Sequence, residues 1–161
     1  MRALTPVELA LAFALGGSVL TISVPAFLRN LHASRMVEAL NGLERISTRA
    51  ASLTAFRPLA SAFPESAPLT PAEVPRATLT SDPPGTWDHP TWRLLDFGFN
   101  EPHAYSFEFS SASSDAGCSF HAIARGDLDG DGVLSTFDVA GKLGKDGNAQ
   151  LLPLELTREI E

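Results

Sequence analysis

A chain of 161 residues with 44% hydrophobic and 19% charged side chains has room for one packed domain and is too apolar to stay wholly disordered. Its formal net charge of -7 resides in residues 101–161, which hold eleven acidic and four basic side chains, whereas residues 1–100 hold eight of each. No cluster of Lys and Arg is dense enough to track a phosphate backbone, so nucleic acid is not an expected partner, and a single cysteine, Cys118, excludes an intrachain disulfide.

Residues 9–28 run for twenty positions without a charge, and fourteen of them are Ala, Val, Ile, Leu or Phe. As a helix rising about 1.5 Å per residue, the run spans roughly 30 Å, the thickness of a bilayer's hydrocarbon core. A secretory signal peptide fits less well: Met1-Arg2-Ala3 is a minimal basic region, the run exceeds an ordinary h-region, and no A-x-A site precedes Arg29. A buried helix is the other alternative, uncommon at this length in so small a soluble domain. Membrane insertion is therefore expected. Glu8 stands at the start of the run, where an unpaired carboxylate in lipid is costly. Pro25 lies within it and removes a helical hydrogen bond, and Gly16-Gly17-Ser18 offers a flat surface for close packing.

The stretch Leu4-Thr5-Pro6-Val7-Glu8, the apolar run, Gly17 and Pro25 resembles the N-terminus of a type IV pilin or pseudopilin. In that family a prepilin peptidase removes a short basic leader and the new N-terminus is methylated. A glutamate follows four residues later and a proline seventeen residues after that. Counted from Leu4, Glu8 and Pro25 occupy both positions. The resemblance implies cleavage between Ala3 and Leu4, although the family has Gly before the cut and Phe or Met after it, and Pro6 replaces an apolar residue. It also implies that Glu8 neutralises the Leu4 amine of a neighbouring subunit in a staggered helical stack. A buried charge without a partner is penalised by several kcal/mol or so, which makes that docking specific in register. The implied partners are other pilins in a homo- or hetero-oligomeric filament, the prepilin peptidase, the inner-membrane assembly machinery and, before assembly, membrane lipid. The implied location is the inner membrane, then a periplasmic or cell-surface filament of a Gram-negative bacterium.

Beyond Pro25 the pattern becomes two-sided. Leu28, Leu31, Met36, Leu40, Leu43, Ile46, Ala50 and Leu53 form an apolar stripe, with Arg29, Arg35, Glu38, Glu44, Arg45 and Arg49 on the other side. This predicts one helix over 4–57, divided into an apolar half, 4–28, and an amphipathic half, 29–57, after a leader at 1–3. Gly42 is a mild defect within it, and Arg57-Pro58 ends it. Residues 58–103 form a connector, and its first part, 58–90, holds eight of the chain's twelve prolines. It is either ordered over the core or a mobile linker. His89 to Leu95 has the form of a short helix with proline near its first turn, and Trp87, Trp92, Phe97 and Phe99 are the natural apolar contacts of this connector. Alternation predicts strands at 104–110, 119–125 and 135–142, with a short fourth at 149–152, so that 104–161 is an antiparallel sheet. The expected fold class is α+β: a long N-terminal α-helix packed on an antiparallel β-sheet head, type IV pilin-like.

Asp127-Leu128-Asp129-Gly130-Asp131-Gly132-Val133-Leu134-Ser135-Thr136-Phe137-Asp138 matches the calcium-loop pattern. Carboxylates stand at the first, third and fifth places, Gly at the sixth, an aliphatic at the eighth and Ser at the ninth. The candidate ligands are Asp127, Asp129, Asp131, the Val133 carbonyl, Ser135 and Asp138, which replaces the usual Glu as it often does in dockerin-like loops. The alternative is a Gly/Asp-rich turn without metal, although three carboxylates within five residues repel one another unless a cation joins them. The flanks read as strands, so a bound Ca2+ would be structural. This DLDGDG segment, with HPTW and DFGF upstream of it, is similar to pilin-like proteins of deltaproteobacterial type.

Catalytic patterns are thin: Cys118-x-x-His121 is a lone pair, His32, His89 and His103 show no zinc-ligand spacing, and no nucleophile elbow or phosphate loop is present. The expected function is a non-enzymatic structural subunit, a major or minor pilin or a pseudopilin, of a type IV pilus or related secretion filament. The alternative is a single-span membrane protein whose calcium-binding extracytoplasmic head never polymerises.

Overall fold

The computed structural model of the chain describes residues 5–58, 61–114, 117–144 and 147–157, with side chains at 16, 20, 22, 25, 26 and 28–34 outside the description. Two units are distinguished, Met1–Ser34 and Arg35–Glu161. Helix α1 is Pro6–Leu53, followed by a 3-10 turn at Thr54–Phe56. After it come β1 (Ala67–Thr70), α2 (Pro90–Leu94), β2 (Tyr105–Ser114), β3 (Gly117–Gly126), β4 (Ser135–Leu143), β5 (Ala149–Leu151) and β6 (Glu155–Thr157). The six strands form one antiparallel sheet in the order β1-β2-β3-β4-β5, with β6 also paired to β4.

The expected fold class needs correction at its helix. A long N-terminal helix packed as one element on the sheet is not shown. Within the second unit, the residues of α1 that bury side chains in the sheet's core begin at Met36. Among the described side chains of the first unit the apolar ones are exposed: Val7 is 77%, Phe13 77%, Val19 62% and Phe27 65% exposed. Among the described residues, no helix is long and apolar enough to cross a membrane. The physical reason is periodicity. A run that is apolar on every side presents no stripe to a sheet, whereas Met36, Ala39, Leu43, Ile46, Ala50 and Leu53 recur at steps of three and four and share one face.

That face also departs from the expected stripe. Leu40 is 36% exposed, and Ala39 is buried in its stead. The smaller residue lets the helix backbone approach the sheet closely, and Gly42 completes the approach. The ring of Phe107, on β2, lies where a Gly42 side chain would be, 2.5 Å from the position of an added Cβ. Gly42 is therefore a seat for β2 and not a defect. Tyr105 covers its cross-strand partner Gly126 in the same way, and Phe120 covers Gly141. Alternation along the strands does the rest: Tyr105, Phe107 and Phe109 of β2, and Phe120, Ala122 and Ala124 of β3, all face the core.

The connector is ordered where it is described. β1 pairs with β2 although it contains Pro68, which a strand at the sheet's edge tolerates. His89 caps α2 by accepting the Thr91 N–H at Nδ1, with Pro90 in the first turn. Trp87, Phe97, Phe99 and Phe107 form an edge-to-face and stacked cluster with centroids 4.9–6.5 Å apart. Arg45 lies over the Phe97 ring at 5.2 Å.

Several polar groups inside this core are tied to backbone. One oxygen of Glu38 accepts the N–H groups of Ala104 (2.9 Å) and Tyr105 (3.2 Å), fixing the start of β2 to α1. Burial raises the Glu38 carboxyl above its usual range, and those two N–H groups, His103 and Arg35 oppose the shift. The Tyr105 hydroxyl, buried without a hydrogen-bond partner, is pushed up to about 12 by burial and then by Glu38. The imidazole of His103, 1% exposed, contacts the Tyr105 carbonyl through Nδ1 and an Asp82 oxygen through Nε2, each at 2.8 Å. The Trp87 indole donates to the same Asp82 oxygen at 2.7 Å.

Replacing Gly42 with Ala tests the close approach. The added methyl must displace the Phe107 ring, an overpacking cost of about 1–3 kcal/mol that outweighs a helix-propensity gain of about 1 kcal/mol at most. Thermal unfolding of Gly42→Ala should therefore show a lower Tm than the parent chain; an unchanged or higher Tm would contradict the tight seat.

Candidate functional site

Of the residues expected to direct processing and assembly, Ala3 and Leu4 lie outside the described residues, and so does the side chain of Pro25. Glu8 is described, and it closes a reciprocal cap. Its Oε2 accepts the Thr5 N–H at 2.7 Å and the Thr5 hydroxyl at 2.8 Å, while the Glu8 N–H donates to Thr5 Oγ1 at 3.3 Å. Thr-x-x-Glu is the capping-box pattern, and Pro6 holds the first helical position, where its missing N–H costs nothing. Glu8 thus has a partner inside its own helix, which the sequence reading overlooked. The signal was present in Thr5-Pro6-Val7-Glu8.

The acidic loop joins β3 to β4. Asp127, 1% exposed, directs both oxygens at the turn: Oδ1 accepts the Gly130 N–H at 2.8 Å and Oδ2 the Gly132 N–H at 3.1 Å. Asp129 accepts from the Asp131 N–H, and Asp131 from the Val133 N–H, two successive side-chain-to-backbone turns. Gly132 adopts φ +89°, a conformation that strains any side-chain-bearing residue. The connector braces the loop, because Ala77 N–H donates to the Asp127 carbonyl at 2.8 Å and Arg76 Nε stands 3.8 Å from Asp127 Oδ2.

One oxygen from each of Asp127, Asp129 and Asp131 lies within 4.8 Å of the others. Calcium–oxygen bonds of about 2.3–2.6 Å span such a separation, and a carboxylate oxygen that accepts one N–H keeps a second lone pair. The three carboxylates could therefore hold a metal ion, while the turn is also complete through its own hydrogen bonds. The other expected ligands are Val133, Ser135 and Asp138. Ser135 is buried as the first residue of β4, opposite Gly126, and Val133 is 45% exposed. Asp138 stands further along β4, where both its oxygens are 3.2 Å from His121 Nδ1.

Cys118 and His121 do not meet, since three residues along β3 turn them to opposite faces: Cys118 is buried and 3.2 Å from Ser113 Oγ, whereas His121 is exposed. A groove of ≈ 640 Å³ is lined by Arg45, Trp87, Asp88, Arg93, Phe99 and Asn100, and within it Arg93 bonds Asp88 at 2.9 Å and the Trp87 indole bonds Asp82. Sequence reasoning missed the buried His103–Asp82 pair. No local pattern announces it, since the partners stand 21 residues apart.

No protein-family model, no curated protein and no solved structure matches this chain.

The loop geometry separates its aspartates by role. With calcium chelated, Asp127→Ala leaves the Gly130 and Gly132 N–H groups without their acceptor and should cost about 1–3 kcal/mol. Asp131→Ala, at an exposed position, should change stability by less than about 0.5 kcal/mol. Denaturant midpoints of the two variants check this, and equal losses would contradict a special structural part for Asp127.

Proposed function

We propose that this chain is a structural subunit, a major or minor pilin or a pseudopilin, of a type IV pilus or related secretion filament, with no catalytic activity. The observation that carries the reading is the run of exposed apolar side chains from Val7 to Phe27, joined to the spacing of Glu8 and Pro25 from Leu4. Among the described residues such a surface has no partner within its own unit, and it calls for lipid or other copies of itself. In this reading a prepilin peptidase cleaves between Ala3 and Leu4, and the apolar run holds the chain in the inner membrane before assembly. Glu8 then exchanges its cap for the Leu4 amine of a neighbour. Calcium at Asp127, Asp129 and Asp131 stabilises the head. The Thr5–Glu8 cap favours a second reading, a single-span membrane protein with a calcium-binding head that never polymerises, because it gives Glu8 a purpose without a neighbour.

Glu8→Gln separates the two. Glutamine still closes a capping box, so the helix start survives, but the charge is lost. The filament reading expects cleavage after Ala3, seen as a mature mass beginning at Leu4, and a strong fall in the variant's incorporation into filaments. An intact Met1 on filament-derived protein, or normal incorporation of Glu8→Gln, would overturn it.

The calcium reading is tested on the full chain in a non-ionic detergent. Sites of the extracellular kind bind with dissociation constants on the order of 0.1–1 mM. At ten times that concentration, mass action adds about 1.4 kcal/mol, a rise of a few degrees in Tm. The double variant Asp129→Ala, Asp131→Ala should lose the response, and magnesium should substitute poorly. An unchanged melting curve with no heat of binding would leave the loop as a turn alone.

A further inference from the structure

We propose that the groove between α1 and the connector binds an uncharged oligosaccharide. Its floor is aromatic: Trp87 and Phe99 are half-buried there, with ring centroids 5.7 Å apart, beside the buried Trp92 and Phe97. Both rings are fixed within the chain. The Trp87 indole donates to Asp82 at 2.7 Å, and the Phe97 ring meets those of Trp87 and Phe99 at 5.5 Å each. Gly98 lets the backbone run close against Trp87, since an added Cβ would stand 3.0 Å from the Trp87 Cβ. Rings held in this way lose little freedom when a ligand settles on them.

The rim is polar and open. Arg93 and Asp88 pair at 2.9 Å with side chains 67% and 65% exposed. Asp96 and Asn100 are exposed too, and among the described residues their side chains make no hydrogen bond or ion pair. A sugar ring matches such a site, because its C–H face is apolar while the hydroxyls on its edge both donate and accept. Carboxylate and guanidinium groups bind hydroxyls through charge-assisted hydrogen bonds. The groove's ≈ 640 Å³ lies within the range of about 300–1,000 Å³ usual for ligand clefts.

Charge and length narrow the class of ligand. Arg45 and Arg93 balance Asp88 and Asp96, while Asp82, 5% exposed, is engaged by Trp87 and His103. A phosphate or sulfate ester calls for an excess of cations that this groove lacks. A second groove of ≈ 510 Å³ shares Arg45 and Asp96 and adds Glu44, Arg49 and Thr48, again without net charge. Two adjoining grooves of balanced charge suit a chain of sugar rings better than a single ring. A peptide bound as an added strand needs a sheet edge, and neither groove has a strand in its lining.

The test uses the full chain in a polyoxyethylene detergent, whose headgroup carries no sugar to compete. Saturation-transfer NMR is run with maltose, lactose and N,N′-diacetylchitobiose. At least one should show saturable transfer to its ring protons, with a Kd of about 10 mM or tighter. Asn100→Ala and Asp88→Asn, both at exposed positions, should leave the melting curve in place and weaken that binding about fivefold or more. No saturable transfer to any of the three sugars overturns the proposal, and so does binding that both variants leave unchanged. A sulfated disaccharide that binds more tightly than its neutral counterpart overturns the assignment of an uncharged ligand. If the variants do not fold, fluorescence of the parent decides, because both of its tryptophans, Trp87 and Trp92, line the groove. A saturable change in emission with the same sugar supports the site, and unchanged emission overturns it.

Discussion

The head is organised around the contact of a ring with a helix backbone. Phe107 lies on α1 at Gly42, and because nothing projects from that residue, β2 approaches the helix more closely than any side chain would permit. Several other features follow from this approach. Glu38, one turn earlier on α1, comes within hydrogen-bonding reach of the N–H groups that open β2. Phe97 and Phe99 pack on the same Phe107 ring and bring the connector with them. The hydrophobic core and the buried polar groups thus share one origin, since the depth at which Phe107 sits also fixes where Glu38 meets β2.

The strands were the most legible part of the sequence. Alternation placed them at 104–110, 119–125, 135–142 and 149–152; the structure has the first three reaching further, Tyr105–Ser114, Gly117–Gly126 and Ser135–Leu143, and the fourth one residue shorter, Ala149–Leu151. Period two survives tertiary context well when one face is buried. β1 and β6 were missed for physical reasons: Pro68 argues against a strand unless that strand lies at an edge, and three residues at Glu155–Thr157 are too few to show a period. The helix misled differently. Leu40 looked like core because it is large, but the fold needed Ala39 there because it is small. A sequence shows which residues avoid water, and it shows less well which backbones must come close.

The polar sites divide along similar lines. Asp127, Asp129 and Asp131 were readable as a group because they are neighbours in the chain, and their oxygens do converge. Asp138 belonged to the same motif by spacing, yet β4 begins at Ser135, and an extended strand carries Asp138 away to His121. The Glu8 carboxylate carries two competing explanations, one from its spacing to Pro25 and one from Thr5, and only the latter involves a contact within the chain. His103 and Asp82 had no sequence signature, because a pair closed by tertiary packing leaves no spacing to read.

The margins of the sheet limit how copies of the head can join. At one margin β1 is four residues long, and its register slips between Ala67 and Thr70, beside a proline that offers no N–H. At the other, β5 and β6 are three residues each and share β4 as their partner. Short, interrupted borders of this kind are poor templates for a strand from another molecule. Among the described residues, the sheet therefore offers another molecule side chains and no long open backbone ladder.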